Sequence, residues 1–137
     1  MILIDAENLI MGRLASHVAK MLITGNEVAI VNAEKVVISG TKKRILEDYY
    51  QKRAVGGPRK GPHFPRMPDR ILKRTVRGMI PYKKTTGKEA LKRLKVYIGV
   101  PSEFEGETLN TITRASAEGK VKFMLLGDVS RQLGAKF

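Results

Sequence analysis

Two short apolar runs separated by one amphipathic stretch constrain this chain more than any other feature. Ile2-Leu-Ile4 and Val28-Ala-Ile-Val31 have no polar position on either face, as a strand covered on both sides requires. Between them, residues 12–24 set Leu14, Val18 and Leu22 at i, i+4 and i+8 beside Ala15 and Ala19, with Arg13, His17, Lys20 and Thr24 opposite. Gly25-Asn26 ends that helix. Strand, helix and strand joined by short links form a βαβ unit, so the expected fold is α/β, a parallel sheet covered by helices. Val36-Val-Ile-Ser39 reads as a third strand and Val96-Tyr-Ile-Gly99 as a fourth. Thr41 is placed to cap a helix reaching Arg53, with Ile45, Leu46, Tyr49 and Tyr50 inward.

A chain of 137 residues suffices for one buried core. It contains no cysteine, which excludes disulfides, thiolate zinc sites, iron–sulfur clusters and a Cys nucleophile. Acidic residues Asp5 and Glu7 interrupt the N-terminal apolar run, so no signal peptide is expected there. No apolar run approaches the roughly 20 residues of a membrane helix, and a cytoplasmic protein is expected.

The charge is concentrated. Residues 52–95 hold fifteen Lys or Arg against Asp69 and Glu89, a surplus equal to the net charge of +13 on the whole chain. The same block carries five of the six prolines. Residues 54–68, dense in Pro and Gly, read as an extended loop, and long ordered loops are usually functional. Beyond the loop, Asp69 is expected to cap a helix with Arg70, Lys73, Arg74 and Arg77 at i, i+3, i+4 and i+7, one basic stripe opposite Ile71, Leu72, Val76 and Met79. Thr86 and Glu89 suggest a capping box for another helix, with Lys88, Lys92 and Lys95 outward and Ala90, Leu91 and Leu94 inward. A solvated charged face is the plainer reading, but such a face mixes signs and this block does not, so a polyanion partner is expected. Without a recognition helix, zinc finger or basic zipper, folded RNA fits better than DNA, read through backbone and shape with little aromatic stacking.

Competing chemistries are weaker. His17 and His63 have no partners at metal-ligand spacing. Thr86-Gly87-Lys88-Glu89 fails as a P-loop end, because Tyr82 stands where the first glycine belongs and Glu89 where Ser or Thr belongs. Residues 126–134 look like half a helix-turn-helix with no recognition helix after them. Asp5 and Glu7, after the first strand, are the one enzymatic alternative, a Mg²⁺ site for a nuclease or RNA-processing enzyme; simple acids near a helix N-terminus are the plainer reading.

Particular runs resemble one family. They are Gly12-Arg-Leu-Ala-Ser16, Val31-Asn-Ala-Glu-Lys35 with Ser39-Gly40, Gly61-Pro-His-Phe64, Arg74-Thr-Val-Arg-Gly-Met-Ile-Pro81 and Leu91-Lys-Arg-Leu-Lys-Val-Tyr-Ile-Gly99. In order and spacing these are similar to the large-subunit ribosomal protein L13 family in its archaeal and eukaryotic form. The resemblance implies a three-layer α/β/α domain with a four-stranded, mostly parallel sheet, bound to large-subunit ribosomal RNA without catalysis. Charge census and resemblance together give the candidate RNA-binding residues Lys52, Arg53, Arg59, Lys60, His63, Arg66, Arg70, Lys73, Arg74, Arg77, Lys83, Lys84, Lys88, Lys92 and Arg93. Neighbouring ribosomal proteins are the other expected partners. No cofactor, metal, small-molecule substrate or obligate homo-oligomer is expected. The RNA-binding domain is expected over residues 1–101, and residues 102–137 as an appendage packing on the core or on a neighbour.

Overall fold

A computed structural model describes residues 1–137. The chain runs β1 (Ile2–Asp5), α1 (Met11–Ile23), β2 (Val28–Val31), β3 (Val37–Ser39), α2 (Lys42–Ala54), α3 (Pro68–Arg77), α4 (Thr85–Lys92), β4 (Leu94–Val96), β5 (Phe123–Leu125) and α5 (Leu126–Gln132). The βαβ expectation holds. β1 and β2 pair in parallel, Ile2 opposite Val28 through Asp5 opposite Val31, and α1 between them buries Leu14, Ala15, Val18, Ala19 and Leu22. Gly25, at φ +101°, donates to the Leu22 carbonyl, and Asn26 donates to that of Met21. Those two bonds close the helix through a left-handed residue that glycine adopts without strain.

The parallel sheet has three strands, in the order β1-β2-β4, and not the four expected. Val36–Ser39 is the strand that departs. β2 already has a partner on each edge, and the free edge of β1 is bridged by Asn110, which accepts from the Asp5 amide and donates to the Leu3 carbonyl. The chain leaves β2 through left-handed Asn32, and β3 pairs antiparallel with β5, Val37 opposite Leu125 and Ser39 opposite Phe123. The expected fourth strand also begins earlier. Leu94 and Lys95 belong to β4 rather than to the preceding helix, because Leu94 lies opposite Val28 and is fully buried.

Helix starts differ from expectation in a consistent way. α3 begins at Pro68, whose fixed φ suits a first helical position, so Met67 takes the cap position and Asp69 falls inside the first turn. α4 begins at Thr85 with Lys84 at its cap position and without the Thr86–Glu89 capping box. Thr41 does occupy the cap position of α2, but its hydroxyl makes no capping bond.

One apolar cluster joins nearly every element. Ile4, Leu14, Ile30, Ile71, Leu72 and Leu94 meet Leu126, Val129 and Leu133 of the C-terminal stretch in it. Leu14, Leu22, Ile71, Leu72 and Leu126 are wholly inaccessible, each contributing roughly 1.5–3 kcal/mol by burial. Residues after 101 therefore complete the core through α5 and pair with β3 through β5.

Candidate nucleic-acid interface

α3 carries its two faces as its sequence spacing dictates, except that Met79, expected on the apolar face, lies beyond the helix end at Arg77 and is exposed. Ile71, Leu72 and Val76 are buried, while Arg70, Lys73, Arg74 and Arg77 line one groove of about 230 Å³ with Pro65 and Leu91. α4 approaches from the side. Gly87 packs so closely on the preceding turn that a Cβ there would lie 1.9 Å from the Pro81 carbonyl oxygen. That contact, not phosphate cradling, is the reason for a glycine in Thr86-Gly87-Lys88. Lys88 and Lys92 then share a second hollow of about 420 Å³ with Lys73, Tyr82 and Leu91.

The Pro/Gly-rich loop is tied to the helices on both sides. Arg53 of α2 donates to the Phe64 carbonyl at 2.8 Å, and Arg74 of α3 donates to the His63 carbonyl at 3.3 Å. The Phe64 ring meets Tyr49 edge-on at 5.9 Å, and the Arg74 guanidinium lies 4.9 Å from the Phe64 centroid. Lys52 stands 4.7 Å above the Tyr49 ring. Gly56, at φ +89°, has no room for a Cβ, which would fall 2.1 Å from the Gly61 carbonyl oxygen. Burial, reinforced by the charge of neighbouring Asp48, pushes the Tyr49 phenol up to about 12, so it stays protonated across the physiological range.

The fifteen sequence candidates sort into two groups. Lys52, Arg59, Lys60, His63, Arg66, Arg70, Lys83, Lys84, Lys88 and Lys92 are exposed. Arg53, Lys73, Arg74, Arg77 and Arg93 are half-buried and engaged within the protein. Lys73 donates to the Leu94 carbonyl at 3.2 Å, and Arg77 lies 5.1 Å from the Tyr82 ring. Arg93 donates to the Leu22 carbonyl at 2.6 Å, closing the C-terminus of α1. None of the block's cations forms an ion pair. The two ion pairs in the protein, Lys35–Glu7 and Arg131–Asp128, lie outside it.

One cation escaped the sequence reading. A hollow of about 630 Å³ is lined by Arg53, His63, Arg66 and Arg70, and by Lys136 from beyond α5. No local signal marks Lys136, since its position follows from how α5 docks.

Asp5 and Glu7 are committed to structure. The Asp5 carboxylate accepts from the Asn32 amide at 2.9 Å and from the Glu7 backbone at 3.0 Å, joining the ends of β1 and β2. Glu7 is exposed and pairs with Lys35 at 3.5 Å. No third carboxylate, histidine or cysteine joins them to make a metal-binding group.

The sequence matches the pattern of the family described as "Ribosomal protein L13" over residues 1–103. It is 56% identical over the full length of both chains to the large ribosomal subunit protein uL13 of Methanococcoides burtonii. It is 48% identical to that of Archaeoglobus fulgidus, over 96% of this chain and 86% of the relative. With Methanococcus maripaludis uL13 the identity is 44%, again over the whole of both chains. The unopposed basic face thus stands on a chain whose likeness to these relatives runs from end to end, and the protein belongs to the ribosomal protein L13 family.

Proposed function

We infer that this protein is a structural constituent of the large ribosomal subunit in the cytoplasm, a scaffold and not an enzyme, and that residues 52–93 form its ribosomal RNA interface. One observation carries the second half of that reading: the fourteen Lys and Arg of this stretch form no ion pair. A folded protein normally intersperses acids among such charges, and leaving them unopposed costs self-repulsion that a polyphosphate partner relieves.

The exposed cations, Arg59, Lys60, Arg66, Arg70, Lys83, Lys84, Lys88 and Lys92, are the direct phosphate contacts. Arg53, Arg74 and Arg77 shape the surface by tethering the loop and stacking on rings, and guanidinium groups left partly free can still make forked contacts to phosphate. Lys52 and His63, also exposed, line the cleft and the hollow on either side of the loop. The 102–137 segment adds Lys136 to this face, and its outer surface, with Glu103, Glu105 and Glu107, contacts neighbouring ribosomal proteins. The protein works without a small-molecule substrate and as a single copy.

Sedimentation of a lysate through a sucrose gradient at moderately high salt tests the assignment. The tagged chain is expected to travel with the large subunit and stay there after a salt wash. Recovery as a free small protein at the top of the gradient would overturn it.

A further inference from the structure

A cleft of about 530 Å³ lies beside the basic face, between α2, α3, the start of α1 and the loop. Met11, Tyr49, Phe64 and Ile71 supply its apolar and aromatic walls, and Lys52 and Arg74 also line it. A cleft for phosphate alone has no use for such walls, and a cleft for an apolar side chain has no use for two cations. A nucleotide combines an apolar ring with a negative charge, and both halves have a counterpart here.

Two details point the same way. Arg74 is held over Phe64 and tied to the His63 carbonyl, so its guanidinium is fixed before any ligand arrives. Bases stack on guanidinium planes as they do on aromatic rings. Tyr49 lines the cleft as well, and its hydroxyl makes no hydrogen bond within the chain. The cleft is also continuous with the proposed RNA face, since Arg74 lines both it and the α3 groove.

We propose that this cleft holds one unstacked base of single-stranded RNA, stacked on Arg74, with its phosphate toward Lys52. The inference rests on the RNA-binding reading above and adds to it a base-reading pocket where the interface otherwise reads backbone and shape.

The test compares two probes of equal charge on the full-length protein: 5′-phosphorylated hexaadenylate RNA, and a 5′-phosphorylated strand of six tetrahydrofuran abasic units. Hexaadenylate is expected to bind roughly five- to a hundredfold more tightly, the range for stacking one base. Arg74→Lys keeps the charge and removes the planar stack, so it should bring the two affinities within about twofold of each other. Val55 is exposed and lines the same cleft, and the chain has no Trp, so Val55→Trp is a unique reporter. Its fluorescence should be quenched by hexaadenylate and not by the abasic strand. Equal binding of both probes by the wild type would overturn the pocket while leaving phosphate-driven RNA binding in place, and so would a base preference that survives Arg74→Lys without quenching at position 55. Failure of both probes to bind at low salt would overturn the pocket and the RNA interface together.

Discussion

Replacing Lys83, Lys84, Lys88 and Lys92 with glutamine isolates the electrostatic part of RNA binding. These four are half of the eight exposed cations assigned to direct phosphate contact, and none has a partner within the protein. Each phosphate contact contributes about −0.7 to −0.9 to the slope of log affinity against log salt, so eight contacts give about −6 to −7. Raising salt from about 50 to 200 mM should then weaken binding of a large-subunit ribosomal RNA transcript roughly 3,000- to 20,000-fold. The fourfold variant retains four contacts, so its slope should fall to about −3 to −4 and its loss over the same range to roughly 50- to 150-fold. Filter binding at five or six salt concentrations reads both slopes, and a thermal melt followed by circular dichroism checks that the fold survives. It should survive, because glutamine is a good helix former and the buried residues of α4, Gly87 and Ala90, are untouched. A variant slope within one unit of wild type would refute the assignment of these lysines.

Three further outcomes follow from particular contacts. Gly87→Ala should destabilise the protein by about 1–3 kcal/mol in a denaturant melt, because the new methyl meets the Pro81 carbonyl and outweighs the better helix propensity of alanine. Arg93→Ala should lower stability by about 1.5–3 kcal/mol through loss of the charged bond to the Leu22 carbonyl, while moving the salt slope by less than about half a unit. For Tyr49, the folded pKa is raised above that of the unfolded chain, so the unfolded state loses its proton first and stability declines as pH climbs from about 10 to 12. The decline should be of order 2 kcal/mol steeper in the wild type than in Tyr49→Phe, read from urea midpoints across that range; parallel curves would contradict it.

What could be read in advance, and what could not, divides along the range of the interactions involved. The β1-α1-β2 unit is local, so its apolar runs and its glycine stop suffice to define it, and the α3 stripe follows from helical periodicity alone. The fate of Val37–Ser39 depends on which sheet edges other segments have already taken, namely β4 on β2 and Asn110 on β1. No local pattern carries that information. Phe123–Leu125 is three residues long, too short for alternation to show, and only its partner makes it a strand. At the interface, charge density marked the block, but not the division of labour within it. Arg74 and Arg93 have the same side chain and the same high local charge, yet one leans on a ring beside the open cleft and the other closes a helix end. That difference arises from Phe64 and Leu22, ten or more residues away.

The antiparallel pairing of β3 with β5 also sets an order of events in synthesis. β1, α1 and β2 can associate early, and the three-stranded sheet closes once β4 has emerged. β3 has by then been outside for dozens of residues with no strand to pair with, because residues 123–125 are made much later. A loop of more than eighty residues must close before that pair forms, and closure entropy grows only slowly with length, so the delay comes from waiting for the chain rather than from the closure itself. By the time β4 is complete the whole basic block has been made, while β5 is still more than twenty residues away. On the RNA-binding reading, the interface is thus complete in the chain before the strand that latches β3, and contact with RNA need not wait for the C-terminal pairing.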